Sequence, residues 1–491
     1  MNRTKVLKRV LLSSLLAAAC VTGARAQYAE DVLRFSQSGL GVGAKALGMG
    51  TATVGWIDDY SALFWNPAGL ATIRDFEFSA GLGMSSYGDK ATFFGTNTSA
   101  DMRFTNLNNL GIVYPIPTSR GSLTFAFGYG RTADYSSIVR FNGFNPSSSI
   151  VRSLAPDTDL LTMSQSDALN YINNNIPFLI YLADTSNDYF YPIVTDSVQQ
   201  SGTVTEGGGM NTWSLGGAID IAKDFSLGVS LNILTGSYSY DREYTESDSR
   251  NVYHASYVFP WNFDTFRYTS TIRSDLSGFN ALFGFMYRKQ GRFRIGATVK
   301  TPTTYEISET FSDQGTSRFD DGSSYSSGAF SGKTTYRIKT PVVMAVGASV
   351  QIVDWLMLAG DAEYTDWTQM QFDSDNPDLV AENRTIQTIY KPTTNLRAGA
   401  EVTLWGLGLK LRGGYVLNPS PYKGDPSSFD QKYYTAGAGF IVDENITLNA
   451  GYAYGTWKTF RDNYYLGGAV ASRTSESVTT HRFNFTLSYR F

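Results

Sequence analysis

The final stretch of the chain, His481-Arg-Phe-Asn-Phe-Thr-Leu-Ser-Tyr-Arg-Phe491, decides the fold. From Phe483 onward its odd positions are apolar or aromatic, and from Arg482 onward its even positions are polar or charged. Successive side chains of a strand point to opposite faces, so this segment has one apolar and one polar face. A soluble barrel or sandwich could carry the same pattern, but here it recurs along the chain behind a predicted export signal. Lipid-facing residues that alternate with lumen-facing ones are typical of a transmembrane β-barrel.

Residues 1–26 have the features of an export signal peptide. A basic head precedes a short apolar core, Leu11 to Val21, and the small-residue cleavage motif Ala24-Arg-Ala26 follows. The apolar core is too short to span a bilayer as a helix. Cys20 raises the alternative of a lipoprotein signal, which the spacing from Leu16 disfavours. Because Cys20 is the only cysteine, removal of the signal would leave no thiol for disulfides or metal sites.

Composition narrows the class of protein further. No stretch after the signal offers the ~18 consecutive apolar residues of a membrane helix. Loss of five basic residues with the signal would leave 35 basic against 44 acidic residues, and such a chain has no electrostatic footprint for nucleic acid. Abundant Tyr, Phe and Gly suit strands, membrane interfaces and tight barrel corners. We therefore expect an exported all-β protein of the cell outer membrane.

Strand candidates and their connections predict the architecture. The fourteen candidates span 76–87, 105–116, 121–135, 210–222, 225–246, 262–289, 292–312, 330–352, 355–372, 386–404, 407–418, 430–442, 446–458 and 479–491. Short connections alternate strictly with long ones, which span 88–104, 136–209, 247–261, 313–329, 373–385, 419–429 and 459–478. An antiparallel barrel puts alternate connections at opposite rims, with short periplasmic turns and long extracellular loops. Residues 76–491 are therefore predicted to form an all-β, 14-stranded antiparallel transmembrane β-barrel.

Two segments fall outside this barrel. Residues 27–75 contain Trp56 and Trp65 with other apolar side chains, and they precede the first strand on the periplasmic side. Folding into the lumen would bury these side chains, so we predict an N-terminal lumenal hatch or plug. The predicted extracellular loop 136–209 contains a helical pattern at 164–183, with Asp167 near its start and Pro177 expected to break it.

Motifs for catalysis or cofactor binding are weak. Residues 39–46 match a relaxed dinucleotide fingerprint, but the strand and βαβ unit that it requires are missing, so a flexible small-residue segment is the simpler interpretation. The two histidines are His254, in a loop, and His481, on the apolar parity of the last strand, and no GxSxG or HExxH motif accompanies them. An outer-membrane hydrolase stays open as an alternative, but we predict no catalytic residues, no enzyme and no cofactor.

Charged residues allow more than one interpretation. Asp373, Asp375 and Asp378 could bind calcium weakly, although a solvated loop face is the simpler interpretation, and we predict no metal site. Charged residues also occur on the lumen-facing parity of the strands. They are Asp220, Asp361, Glu363, Arg397, Glu401, Lys410 and Arg412. These side chains would line water in an open porin, hydrogen-bond a plug, or satisfy one another.

Several short motifs stand out in the N-terminal segment and in the later strands and loops. They are Ser38-Gly-Leu-Gly41, Gly48-Met-Gly50, Asp58-Asp59 and Asn66-Pro-Ala-Gly69 in the segment, with Tyr364-Thr-Asp-Trp367, Leu396-Arg-Ala-Gly399, Leu411-Arg-Gly-Gly-Tyr415, Asn418-Pro-Ser-Pro421 and Tyr452-Ala-Tyr454 further on. The motifs of the segment resemble the hatch of the FadL/TodX family of outer-membrane transporters for long-chain fatty acids and other hydrophobic compounds, and the later ones are similar to its strands and loops. The hatch residues that this resemblance implies are Gly48, Met49, Gly50, Asp58, Asn66, Pro67 and Ala68.

The resemblance also implies a mechanism, and since no energy-coupling module is visible in the sequence, we expect transport to be passive. A hydrophobic ligand would land in a groove on the extracellular loops, move to a site in the lumen, and leave sideways beside a kink in the third strand after the hatch rearranges. Gly128 and Gly130 are candidates for this kink, or they fit the backbone against the hatch. Ile176, Phe178, Leu179 and Tyr181 are candidates for ligand capture, or their helix only caps the barrel.

Expected partners are the outer-membrane lipid bilayer, a hydrophobic small-molecule ligand and the barrel-assembly machinery during biogenesis. Two other functions stay open at this stage. One is a structural or protein-secretion-associated barrel, and the other is a general diffusion porin.

Overall fold

The computed structural model describes residues 29–253, 262–289, 292–374 and 376–491. The predicted export signal with Cys20, the loop histidine His254, the acidic residue Asp375 and the predicted turn at 290–291 lie outside these residues.

Fourteen antiparallel strands form one closed sheet within the described residues. They are β1 Glu77–Phe93, β2 Thr96–Ile116, β3 Leu123–Asp134 with Ser137–Asn145, β4 Val198–Ala222, β5 Phe225–Ser247, β6 Phe263–Lys289, β7 Phe293–Lys300 with Thr304–Phe319, β8 Ser324–Lys339 with Val343–Val353, β9 Leu356–Asp366 with Gln371–Phe372, β10 Pro392–Leu404, β11 Leu409–Asn418, β12 Gln431–Ile441, β13 Ile446–Leu466 and β14 Ala469–Arg490. Each strand pairs with its neighbours in the chain, and β1 also pairs with β14. The predicted 14-stranded antiparallel barrel is confirmed.

The two faces of the strands differ as the alternation predicts. On β14, Phe483 and Phe485 are 44% and 48% exposed, whereas Asn484 between them is fully buried. On β5, Leu227 and Leu231 are likewise exposed and Ser230 is buried. Apolar side chains on the outside and polar ones inside fit a cylinder surrounded by lipid. Among the described helices, none has both the length and the apolar character needed to cross a bilayer.

Several predicted loops are wrong, because the strands continue beyond the lipid-facing band. The segments predicted as loops at 88–104 and 459–478 are hairpins whose turns lie at 94–95 and 467–468, and 313–329 is a hairpin that turns at 320–323. The predicted loop 136–209 shrinks to 146–197, since Ser137–Asn145 pairs with β4. Above the lipid both faces of a strand can be polar, so the apolar alternation that reveals the spanning part is lost.

Short helices occupy the N-terminal segment and the loops. They are α1 Ala29–Ser36, α2 Ala44–Gly48, α3 Ala62–Trp65, α4 Val151–Leu154, α5 Gln165–Asn173, α6 Ile176–Leu179 and α7 Pro377–Ile389, with 3-10 turns at Pro67–Thr72, Leu160–Thr162, Trp367–Gln369, Trp405–Leu407 and Ser427–Phe429. Helix α7 replaces a predicted loop and the first residues of the predicted strand 386–404. Its start carries a signal that could have revealed it, because Asn376 caps it and Pro377 occupies the first turn.

The 146–197 loop closes the extracellular end of the barrel. Its helical part is divided near Pro177, which lies in the first turn of α6, and Asn175 caps that second piece. Ile180 and Leu182 are fully buried in an apolar cluster with Phe266 and other lumen-facing aromatic residues of the wall. The loop also contains a three-stranded sheet of Thr158–Asp159, Tyr189–Pro192 and Ala183–Ser186, whose Ala183 and Phe190 lie in a second apolar cluster.

A buried carboxyl group anchors this loop to the strand extensions above the lipid. Glu246 of β5 is fully buried and accepts hydrogen bonds from the Ile150 backbone N–H at 2.8 Å, Gln200 Nε2 at 2.8 Å and the Tyr244 hydroxyl at 3.1 Å. The Ser149 hydroxyl also donates to it. Burial raises the pKa of Glu246 from 4.5 to about 6, because the ionised form loses its contact with water.

The raised pKa predicts that the loop packs more tightly in acid. The packed loop favours the protonated carboxyl, so its stability is greatest below the ordinary pKa of 4.5 and falls by up to about 2 kcal/mol as pH rises through 6. Hydrogen-exchange protection factors of residues 146–197, corrected for intrinsic exchange rates, should therefore be higher at acidic than at neutral pH. Glu246→Gln should remove this dependence, and a pH dependence that persists in the variant would contradict the assignment.

Candidate functional site

The N-terminal segment, residues 29–73, lies inside the barrel against its inner wall. Its residues Ala44, Leu47 and Leu70 are fully buried, and the segment packs on lumen-facing positions of strands all around the cylinder. Many of the wall positions that touch the segment are glycines. This arrangement places the predicted plug in the lumen.

Glycines form cross-strand pairs that we call the glycine belt. The pairs are Gly111 with Gly128, Gly228 with Gly284, Gly296 with Gly347, Gly399 with Gly414, and Gly437 with Gly451. A β-carbon on Gly296 would lie 1.9 Å from the Val54 carbonyl oxygen, and one on Gly228 would lie 2.3 Å from the Pro67 carbonyl carbon. These distances are far below van der Waals contact, so only glycine lets the two backbones approach this closely.

Polar groups on the wall satisfy the backbone of the buried segment. Asp361 of β9 accepts hydrogen bonds from the backbone N–H groups of Thr53 at 2.5 Å and Val54 at 2.8 Å. Asn66 donates to the carbonyl oxygens of Val54 at 2.7 Å and Phe285 at 3.1 Å, and its own side-chain oxygen caps the following 3-10 turn. Irregular backbone inside a barrel requires such partners, because an unpaired buried amide is costly.

The seam between the first and last strands holds the segment at its periplasmic end. Arg490 of β14 donates to the buried carboxylate of Glu77 on β1 at 2.6 and 2.9 Å. The same guanidinium donates to the Asp58 carbonyl oxygen at 3.0 Å, and Glu77 accepts from the Tyr60 backbone N–H at 3.0 Å. Barrel closure and plug attachment therefore use the same ion pair.

The seven predicted hatch residues all lie on contacts between the segment and its surroundings. Gly48 packs on Gly437, Met49 on Gly399 and Gly50 on Gly414. Asp58 forms an ion pair with Lys45 inside the segment. The remaining three, Asn66, Pro67 and Ala68, contact Gly228 or Gly284. Their role as a movable hatch stays a prediction.

The wall is irregular between β2 and β3. Backbone pairing of these strands stops at Asn109 and Gly130, the register of β3 shifts between Arg131 and Ala133, and β3 is interrupted at 135–136. The Tyr60 hydroxyl donates towards the carbonyl oxygens of Leu110 at 2.9 Å and Tyr129 at 2.8 Å, beside the last paired residues. A side chain of the plug thus contacts the edge of this irregular region.

The proposed kink glycines lie just before the irregularity. A β-carbon on Gly128 would meet the Tyr60 hydroxyl at 2.2 Å, and one on Gly130 would meet Val42 at 2.6 Å and Phe64 at 2.7 Å. The contacts of both glycines therefore favour the second interpretation, a close fit to the plug. Their part in a lateral exit stays a prediction.

Three cavities meet at two residues of the segment. A central chamber of about 130 Å³ contacts an outer cavity of about 250 Å³ and a side cavity of about 350 Å³. Gln37 and Ser38 line all three. The outer cavity reaches Trp457 and Phe429 near the extracellular rim, and the side cavity reaches the interruption of β3 at 135–136.

The central chamber combines apolar walls with one charged corner. Its apolar lining includes Phe35, Val42, Phe64, Trp65, Met210, Leu234, Leu282 and Val343. In the corner, Arg397 donates to Glu363 at 2.9 Å through Nη2, while its buried Nη1 has no hydrogen-bond partner within the described residues. Lys300 adds a second cation, whose amino group contacts only the Ser38 hydroxyl, at 3.4 Å, among the described residues. Two cations thus face one carboxylate.

The predicted capture residues lie in the extracellular closure rather than in the chamber. Ile176 packs against the buried aromatic cluster, and Phe178 packs beside Phe190 with ring centres 6.0 Å apart. Tyr181 is about half exposed and packs edge-on against Tyr325 at 4.5 Å, and Leu179 is partly buried. The contacts of Ile176 and Phe178 therefore favour the interpretation that this helix only caps the barrel. A role in ligand capture stays a prediction for all four residues.

Comparison with known proteins agrees with this architecture. The family described as outer membrane protein transport protein (OMPP1/FadL/TodX) matches residues 199–491. The chain belongs to the FadL/TodX family. This is a family of outer-membrane transporters of hydrophobic compounds rather than of enzymes. No curated protein matches the sequence.

Solved structures of FadL/TodX proteins share the fold. A FadL homologue of Pseudomonas aeruginosa superposes with a TM-score of 0.58 at 13% identity, covering 92% of this chain and 99% of its own. The toluene transporter TodX of Pseudomonas putida superposes with a TM-score of 0.53 at 14% identity, covering 92% and 99%. At these identities the likeness concerns the fold alone.

The glycine belt predicts that a single methyl group can unseat the plug. Gly296→Ala would force its β-carbon against the Val54 carbonyl, whereas Gly360→Ala on the nearby strand β9 meets nothing closer than 3.6 Å. Gly296→Ala and Gly399→Ala should raise the single-channel conductance in planar bilayers, and Gly360→Ala should leave it at the parental level. Folded Gly296→Ala and Gly399→Ala barrels that both stay closed would contradict the role of the belt.

Proposed function

We propose that this barrel takes up hydrophobic small molecules passively across the outer membrane, with residues 29–73 as its hatch. The observation that carries the proposal is the central chamber between the N-terminal segment and the barrel wall, whose lining includes a large apolar part. A hydrophobic solute gains roughly 0.8 kcal/mol per buried CH₂ group on leaving water for such a lining. A water-filled pore would offer no comparable gain.

The three cavities support a route through the barrel. A ligand enters the outer cavity beside Trp457, passes to the chamber past Ser36 and Ser38, and leaves through the side cavity towards the interruption of β3. Gln37 and Ser38 separate the three spaces, so a shift of this short link would join them. Side chains of the link are small or unbranched, and it lies between helix α1 and the glycine-rich part of the plug.

The charged corner of the chamber supports an amphiphile with an acidic headgroup, such as a long-chain fatty acid. Among the residues that line the chamber, Lys300 and Arg397 exceed the carboxylate of Glu363 by one charge. Asp361 of β9 lies directly opposite Arg397 but binds the plug backbone instead. The free Nη1 of Arg397 can donate to a ligand oxygen. A carboxylate there would complete the hydrogen bonding of the guanidinium, and its chain would lie along Phe64 and Leu282. A neutral hydrocarbon would leave the buried donor unpaired.

A general diffusion porin is less well supported. The N-terminal segment fills the lumen at the level of the glycine belt, and the 146–197 loop fills its extracellular end. None of the described contacts specifically favours a structural or secretion-associated barrel.

Uptake of labelled oleate and labelled toluene tests the proposal directly. Cells that lack the protein should take up both more slowly than cells that produce it. The double variant Lys300→Gln, Arg397→Gln should lower oleate uptake at least about tenfold, since the loss of even one hydrogen bond to a charged group costs ~1.5–3 kcal/mol, and should change toluene uptake little.

Lys423→Gln, on an exposed loop, serves as the control for loss of a positive charge. Equal uptake with and without the parent protein would refute the transport function itself. Parental transport of oleate by the double variant would refute only the role of the charged corner.

A further inference from the structure

The outer surface of the barrel above the lipid carries a row of lysines on strands β13, β14 and β1. Lys458 of β13 lies directly opposite Ser477 of β14, and Ser477 lies directly opposite Lys90 of β1. All three side chains are exposed and share the outward parity of the lipid-facing residues below them. Neighbouring strands are ~4.8 Å apart, so the two lysines flank the serine within about 10 Å of each other.

The row lies on the headgroup side of the apolar band, on the strand extensions above the lipid. On β14 the lipid-facing apolar side chains end at Phe483, and His481 beyond it stacks beside Tyr452 at the interface. Ser477 lies six residues further along the strand, about 20 Å at ~3.3 Å per residue. With the usual strand tilt of ~40° this is roughly 15 Å above the apolar band.

The charge around the row is strongly positive. Outward-facing charged residues on the described extensions of β12, β13, β14, β1 and β2 are Lys432, Lys458, Arg473, Lys90, Arg103, Asp462 and Asp101. Arg473 pairs with Asp462 at 2.6 Å. No ion pair among the described residues engages Lys90, Lys458 or Lys432. The row therefore presents cations and hydroxyls to the surrounding lipid, with one carboxylate, Asp101 of β2, diagonally beside Lys90 and not ion-paired with it.

We propose that this row, Lys458–Ser477–Lys90 with Lys432 beside it, binds the phosphate groups of a phosphorylated glycolipid in the outer leaflet. Two ammonium groups and a serine hydroxyl present several donors to phosphate oxygens, and a phosphate near the surface is neutralised by lysines that have no acidic partner. The acyl chains of the same lipid would lie on the apolar band directly below, on Phe483 and Phe485. This site is on the outside of the barrel and is separate from the transport route.

The test is lipid binding by the full-length protein in detergent, with diphosphorylated lipid A as the probe and the same lipid after phosphatase treatment as its partner. Native mass spectrometry should show the phosphorylated lipid retained and the dephosphorylated lipid largely lost. Lys90→Gln with Lys458→Gln should weaken retention about tenfold or more. Each lysine near an anionic lipid surface contributes a similar share of the binding free energy, and the double variant loses two such shares. The matched control, Lys333→Gln with Lys339→Gln, removes the same charge from β8. On that part of the wall an acidic residue already accompanies the basic ones, because Glu306 of β7 lies directly opposite Arg337 of β8.

Three results would overturn the proposal. Unchanged retention by the folded Lys90, Lys458 variant would remove the site. Equal loss in the control would reduce the effect to overall charge. Displacement of the lipid by inorganic phosphate as effectively as by free lipid A would assign the row to a soluble anion. Folding of each variant is checked by its heat-dependent mobility on gels, which the surface substitutions should leave intact.

Discussion

The structure depends on the close approach of two backbones, that of the N-terminal segment and that of the barrel wall. Side chains normally keep a plug several ångströms from a sheet, and the remaining space would admit water. Here the cross-strand pairs of the glycine belt remove these side chains at the level of the plug. Asp361 and Asn66 then supply the hydrogen bonds that the irregular backbone needs. The result is a lumen closed by packing and polar contacts together.

Two closures restrict the lumen, and a partly apolar chamber lies between the plug and the barrel wall. The plug closes one end, and the 146–197 loop closes the other through an apolar cluster around Ile180 and Phe266. A chamber of this kind favours hydrophobic solutes over water and ions, and its charged corner favours one end of an amphiphile. The ion pair of Glu77 with Arg490 ties the plug to the seam of the barrel, so closure of the cylinder also fixes the plug.

The spanning part of the fold could be predicted from sequence because lipid imposes a period of two on every strand. The strand count, the order and the lumenal position of the N-terminal segment follow from that alternation and from the apolar character of Trp56 and its neighbours. Beyond the lipid the constraint disappears, and the hairpins at 94–95 and 467–468 were predicted as loops. Helix α7 was missed although Asn376 and Pro377 mark its start.

The site was less predictable, since it depends on contacts between distant parts of the chain. The strand alternation places Gly296 on the lumen-facing parity with Thr298 and Gly360 on the lipid-facing parity with Leu358. Nothing local in the sequence shows that the plug backbone lies against Gly296. Lys300 and Arg397 come from different strands and meet only in the closed barrel, and the sequence singled out Arg397 without its neighbour. The motif at Asn66 is the exception, because its capping role is local and its wall contacts follow from it.

A cross-link inside living cells tests the central claim most directly. The Ala44 backbone N–H donates to the Thr486 hydroxyl at 3.1 Å, so cysteines at 44 and 486 are within reach of a short bifunctional thiol reagent. Cys20 is the only native cysteine and lies in the predicted signal, so the background is low. A lumen filled by the chain's own N-terminal segment predicts a cross-link between these two positions in the native membrane. Free thiols that react with a water-soluble label at position 44 would contradict it.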